Sequence, residues 1–483
     1  MSSQAQAILA AGVSSRTPPI IAARPRSPSL LRRVLIFPVK LFWGMAFCQG
    51  LVSSILVVGW TYRLAQRSVL KYWWLRSRRP QQSQTFADFL AESDQTRPCR
   101  HWPNWFFQQD FIQTIRARPK PTEHPASVGT AERRTHRASR ITHRLSRLAR
   151  APVHSLWLNF WIGLRAISNT WVLTLPAGLF WWFGWYDGWN NSFNKGYEQA
   201  AVGPSISIFG VLWFIAAMFY APLAQARQAA TGEWRSFYQF RLVWRIVRLR
   251  WLSCVGLALL YSSFALPLNI LKTAPMFWPK GKPALETLPT AEVLKHLDGY
   301  FFWCALVVLP AYIILRLLAA RIYASGILSL VQTGNLEPAV LAPNEREVLE
   351  RLEFVEVRPQ PRRHQFVRLI AWTGTRLGRL VSAGALVLIW FSFVAQIYIA
   401  EFLMNHRGIG WLNQPLVQLP WFHYLPAHLK NPAGEVFGAL LVFLALLLMA
   451  TTRRRFRAGA ASLTGSSEKR TAASEERSMP PHS

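Results

Sequence analysis

The sequence predicts an all-α integral membrane protein with six or seven transmembrane helices and amphipathic basic cytoplasmic segments. Three observations carry that expectation. Seven apolar runs lie near residues 41–61, 168–186, 205–226, 251–271, 299–320, 380–400 and 435–450. Most approach the roughly 20 apolar residues needed to cross a hydrocarbon core of about 30 Å. Lys and Arg crowd into alternate connections, as the positive-inside rule requires of a multi-pass chain. None of the runs contains an internal Asp or Glu.

The charge decides the orientation. Residues 62–165 carry 19 Lys and Arg against 6 acids, residues 227–250 carry 6 against 1, 321–379 carry 9 against 6, and 451–483 carry 7 against 3. The intervening connections 187–204, 272–298 and 401–434 each lie within one charge of neutrality. Long loops weigh less in the rule, but the short 227–250 loop has the same sign. The basic connections and the C-terminus are therefore expected in the cytoplasm, and the bundle in a bacterial inner membrane. A net charge of +32 on a chain that is 51% hydrophobic also raises nucleic acid as a partner. The apolar residues form charge-free runs rather than a soluble core, so the basic excess is read as orientation and attraction to anionic lipid.

Taken in order, residues 1–40 read as a flexible basic tail. The run 41–61 follows, and two readings of it stay open: a true crossing, or a re-entrant hairpin favoured by Gly44, Gly50 and the Ser53–Ser54 pair. Residues 62–165 form a basic cytoplasmic loop that includes an interfacial helix. In it Arg133, Arg137, Arg140, Arg144 and Arg147 make one stripe at helical spacing beside Ile141, Leu145 and Leu148. Such a stripe is drawn to anionic headgroups by about 1 kcal/mol per near-surface charge. Trp157, Phe160, Trp161, Ile162 and Leu164 are expected to continue along the interface. A six-helix bundle over 166–450 and a disordered tail over 451–483 complete the chain. Within the bundle, Arg241, Arg245 and Arg248 alternate with apolar residues and form a second lipid-facing basic segment. Asn344, with Glu347 three residues on, predicts a capped helix with Val348, Leu349 and Leu352 on its apolar side.

Trp60, Trp171, Trp189, Trp251 and Trp278 stand at run ends, as an interfacial aromatic belt requires. Cys48, Cys99, Cys254 and Cys304 have no paired spacing, so neither a zinc site nor a disulfide framework is expected. No nucleotide, haem or hydrolase motif is present, and no cofactor is expected. Arg316 lies about a turn from the cytoplasmic end of its run, where snorkelling accounts for it. With Asn269 and Gln396 it marks the only candidate polar pathway. An outer loop carrying His406, His423 and His428 among Trp411, Pro415, Pro420 and Trp421 is expected to lie on the outer leaflet.

The expected function is non-enzymatic: a membrane protein that organises lipids, or a membrane-protein partner, at the inner leaflet. A transporter or channel for an uncharged or zwitterionic solute is the first alternative. A membrane-embedded lipid-modifying enzyme built on the outer histidines is the second.

Overall fold

The computed structural model describes residues 30–82, 85–91, 130–184, 202–278, 288–354, 365–404 and 413–423. These residues are mostly helical and contain no strand. The helices are α1 (Leu30–Phe47), α2 (Leu51–Arg76), α3 (Phe86–Ala91), α4 (Thr130–Trp182), α5 (Val202–Thr231), α6 (Phe240–Leu249), α7 (Trp251–Thr273), α8 (Thr290–Gln332), α9 (Pro343–Arg351) and α10 (Gln365–Met404). Three of them, α5, α7 and α8, are long and apolar enough to cross a membrane. Their outward faces are apolar: Ile208, Leu212, Leu252, Leu266 and Trp303 are all exposed. A face of that kind would be a liability in water and suits lipid. The chain is an integral membrane protein.

Side-chain pairings fix the direction of each long helix. Trp73 Nε1 of α2 donates to the Ala324 carbonyl of α8 at 3.0 Å. Farther back along both helices, Val57 and Trp60 pack on Ala305 and Leu309. The two helices therefore run parallel. Gly59 and Gly163 set α2 antiparallel to α4. A Cβ on Gly59 would stand 1.7 Å from the Asn159 carbonyl oxygen, and one on Gly163 would stand 2.0 Å from that of Ile55. Only glycine lets the two backbones approach so closely. Gly184 against Ser207, and Trp213 against the Leu173 carbonyl, make α4 and α5 antiparallel as well. Tyr300 donates to Leu271, and Arg250 bonds Ser325 and Ser329, so α7 opposes α8. Trp251–Ser382 and Ser262–Ile389 contacts align α10 with α7. Helices α2, α5 and α8 thus run one way, and α4, α7 and α10 the other.

Several boundaries differ from the sequence reading. The first apolar run is split at residues 48–50, where Ser53 Oγ caps α1 by donating to the Phe47 carbonyl at 2.7 Å. The long helix then continues from Leu51 through residues 62–76. Polar and charged residues conceal it from hydropathy, because Arg63 and Gln66 are buried by neighbours rather than by lipid. Helix α4 is continuous over 53 residues, about 80 Å of helix, so no break separates an interfacial helix from a span. Its residues 157–164 pack on α2 instead of following the interface: Leu164 is 2% exposed, though Trp157 faces outward. Arg133, Arg137, Arg140, Arg144 and Arg147 lie in this helix, with side chains outside the described residues. Trp60 is buried against Met45 and Cys48 rather than in an aromatic belt, and Trp189 lies outside the described residues. Cys48, Cys254 and Cys304 are buried and free; Cys99 lies outside the described residues.

At the end of the bundle reached by α2, α5 and α8, the short helices α3, α6 and α9 form a cap. Thr85 and Asp88 close the start of α3 reciprocally, each backbone N–H donating to the other's side chain at 3.2 Å. Phe89 is thereby fully buried, beneath the Arg351 guanidinium at 4.4 Å. Helix α9 begins one residue earlier than the sequence reading placed its cap. Its N-cap is Ala342, whose N–H is accepted by Glu345 rather than by a Glu347–Asn344 box. Asn344 donates to the Thr231 carbonyl at 2.8 Å and ties α9 to the end of α5. The apolar side formed by Val348, Leu349 and Leu352 is buried as expected.

Candidate functional site

The polar interior is built around two buried arginines. Arg316, on α8, is 4% exposed. It does not snorkel; the bundle closes over it. Its guanidinium donates to the Gln225 side-chain oxygen, the Val417 carbonyl and the Tyr312 hydroxyl. It also lies 4.7 Å from the Tyr312 ring centre and 5.4 Å from that of Tyr62. Among the described residues no carboxylate faces it, and its Nε–H has no acceptor. Burying a cation costs several kcal/mol. Charge-assisted hydrogen bonds return about 1.5–3 kcal/mol each, and aromatic faces add about 0.5–2 kcal/mol. Neutral partners are therefore enough to hold it.

The Val417 carbonyl belongs to the most unexpected element, the non-helical segment 413–423. Every residue from Asn413 to Pro420 is buried, whereas the sequence reading laid this stretch on the outer leaflet. Pro415 and Pro420 remove two donors that the interior would otherwise have to satisfy. The remaining groups close on one another. Gln418 Oε1 accepts the Gln414 N–H at 2.7 Å, and Asn413 bridges the Leu419 N–H and the Trp421 carbonyl. Outward-pointing groups are met by helices: Gln225 donates to the Val417 carbonyl at 3.0 Å, Tyr312 to that of Gln418 at 3.1 Å, and Gln418 Nε2 to Thr174 at 2.6 Å. At its far end His423 bonds Asp298 at 2.7 Å and leans on Phe301. Asp298 and Arg316 are 18 residues apart on α8, about 27 Å; the six residue steps from Val417 to His423 reach at most about 20 Å along it, and the side chains span the rest. Non-helical backbone at such depth requires a full set of protein partners, and Arg316 is one of them. Composition hid this, because the seven apolar or proline residues of 415–417 and 419–422 around Gln418 read equally well as an interfacial loop.

The second arginine, Arg227, is fully buried at the end of α5. It pairs with Glu345 of α9 at 3.1 Å, donates to Tyr323 at 2.8 Å, and is bound by Gln239. Tyr323 in turn donates to Glu345. In the sequence Arg227 was only the first cation of a basic loop. Gln225, two positions before it, went unremarked, although an amide inside an apolar run is a usable signal. A third buried cation, Arg63, donates to Asn159 at 2.7 Å across the α2–α4 contact.

Of the other expected pathway residues, Asn269 does not join this cluster. Asn269 sits near the opposite end of the bundle, half-buried, with its Nδ2 unpartnered. Gln396 lies in α10, with its side chain outside the described residues. Arg241, Arg245 and Arg248 are all exposed on α6, while Leu242, Val243, Ile246 and Val247 are buried. Ile246 seats directly over Gly326. His406 and His428 lie outside the described residues, so only His423 of the outer histidines is placed. Among the described residues no three His, Cys, Asp or Glu side chains converge. Among the described residues the buried polar groups are amides, hydroxyls, guanidinia, the Lys272 ammonium and the Glu345 carboxylate, and that carboxylate is taken up by Arg227 and Tyr323. No family model, curated protein or solved structure matches the chain.

Proposed function

We propose that this is a non-enzymatic multi-pass protein of the bacterial inner membrane, which organises anionic lipid and a membrane-protein partner at the inner leaflet. Its C-terminus is in the cytoplasm. The alternating directions of α2, α4, α5, α7, α8 and α10 support six crossings, with 435–450 as a seventh. The observation that carries the functional reading is α6. A ten-residue helix buries Leu242, Val243, Ile246 and Val247 and turns Arg241, Arg245 and Arg248 outward, directly before the apolar helix α7. Cations held rigidly beside a span attract anionic headgroups. The test is purification into nanodiscs of mixed lipid, with mass spectrometry of what remains bound. Replacing the three arginines together with Gln is expected to remove the preference for anionic lipid, and deleting 132–150 to release protein partners. Unaltered lipid and protein composition in both variants would reject the reading.

One observation favours transport as a second reading. A buried non-helical segment braced by an arginine that meets no carboxylate among the described residues is the kind of feature around which membrane carriers and pores are built. Solute flux into proteoliposomes that disappears in Gln418→Leu would support it. Absence of flux for uncharged, zwitterionic and anionic solutes alike would reject it.

A further inference from the structure

We infer that the cleft between α2, α8 and the α6–α7 joint is a binding site for the phosphate group of an anionic phospholipid. A cavity of about 360 Å³ is lined there by Tyr72, Arg76, Arg250, Arg321, Ile322 and Ser325. Its volume falls within the roughly 300–1,000 Å³ of small-molecule sites. The three arginines come from three different elements: the last residue of α2, the residue joining α6 to α7, and α8 just past its apolar stretch. No ion pair to a carboxylate is formed by any of them among the described residues. Glu353 lines a smaller cavity that shares Arg76, yet it makes no ion pair with Arg76.

Three like charges facing one cleft repel one another, and an anion between them removes that penalty. Two of the guanidinia are also held in place. Arg250 Nη2 donates to the Ser325 carbonyl at 3.2 Å and to Ser329 Oγ at 2.6 Å, which leaves its Nε–H buried without an acceptor. Arg76 lies over the Tyr72 ring at 5.2 Å. Planar guanidinium forks match the oxygens of a phosphate and can bind it bidentately. Exposed leucines flank two of the three in sequence, Leu75 beside Arg76 and both Leu249 and Leu252 beside Arg250. A ligand with a phosphate at one end and acyl chains at the other matches that pairing. The lipid source rests on the inner-leaflet reading above; the phosphate site itself does not.

The test uses the full chain in detergent with defined added lipid, read by native mass spectrometry. Wild type is expected to retain phosphatidylglycerol in preference to phosphatidylcholine. The double variant Arg76→Gln/Arg321→Gln is expected to lose that preference by about ten-fold or more, the loss anticipated for removed charge-assisted hydrogen bonds. Arg250 is left intact because it also bonds the α8 backbone, and Arg76→Lys/Arg321→Lys should restore part of the binding if the fold is sound. Unchanged circular dichroism confirms that the variants are folded. Retention of phosphatidylglycerol by the double Gln variant overturns the site. If retention falls instead in Arg241→Gln/Arg245→Gln/Arg248→Gln, the surface reading survives and the pocket does not. If only the pocket variant loses lipid, the pocket stands and the surface reading fails. Release of bound lipid by millimolar inorganic phosphate would support the site with a soluble phosphate compound as its source; no release assigns it to the headgroup.

Discussion

Arg227 and Arg316 are buried in the same bundle, yet they are neutralised in different ways. Arg227 meets a carboxylate brought in from outside the spans: α9 delivers Glu345 to it, and Tyr323 bonds both partners. Arg316 meets no carboxylate among the described residues. It is held by an amide oxygen, a hydroxyl and a backbone carbonyl of the segment 413–423. The first arrangement fixes the cap to the end of the bundle. The second fixes a non-helical strand of chain within it. A buried cation in this protein is therefore a clamp, and what it clamps depends on whether its partner is a charge or a dipole.

The largest expected effect breaks the first clamp. Glu345→Ala leaves Arg227 buried without its counter-charge, and such a loss typically costs about 3–5 kcal/mol. Denaturant unfolding in detergent should register it. Arg227→Met/Glu345→Leu should recover most of that loss, since a buried ion pair can often be replaced by apolar residues with little net cost. A single variant costing under about 1 kcal/mol would mean the pair is hydrated.

Arg316→Met is expected to cost less, about 1–3 kcal/mol, because the charge leaves together with its hydrogen bonds and Gln225 still serves the Val417 carbonyl. Its sharper readout is local. Proteolysis or hydrogen exchange in 413–423 should rise while the cap around α9 stays protected. Equal loosening of both regions would contradict two separate clamps. The smallest effect is a gain. Glu353 follows α9 with φ 63°, whereas the matching position after α8 is Gly334 at φ 68°. Both ends carry the same bond pattern, Phe354 N–H to Leu349 and Asn335 N–H to Leu330. Glu353→Gly should stabilise the protein by about 1 kcal/mol by removing the left-handed penalty, and a loss would contradict the assigned cap.

The class of fold was legible in the sequence because apolar runs and charge asymmetry are properties of single segments. The cap helix α9 was legible too, though its start was placed late, since Asn344 looked like a cap and serves instead as a tie to Thr231. What escaped were features that depend on distant partners. Arg63 and Gln66 interrupt the hydropathy of α2, yet they are buried because Asn159 and the neighbouring helices cover them. Gly59 and Gly163 look unremarkable apart and meaningful only when juxtaposed. The segment 413–423 has no period, so nothing local separates a surface loop from one drawn into a bundle. Arg316 was found as a candidate but given the wrong environment, because snorkelling is the default for an arginine near a span end and two of its three hydrogen-bond partners lie 91 and 101 positions away.

The proposed orientation sets the α6 arginines on the cytoplasmic side of the membrane and the Asp298–His423 end on the other. Single cysteines placed by Arg245→Cys and Asp298→Cys, each with Cys99→Ser, test it directly with a membrane-impermeant thiol reagent. Both positions are exposed, and the three remaining described cysteines are buried. In intact cells labelling is expected at position 298 alone, and in inverted vesicles at position 245 alone. Labelling of both from the same side would contradict it.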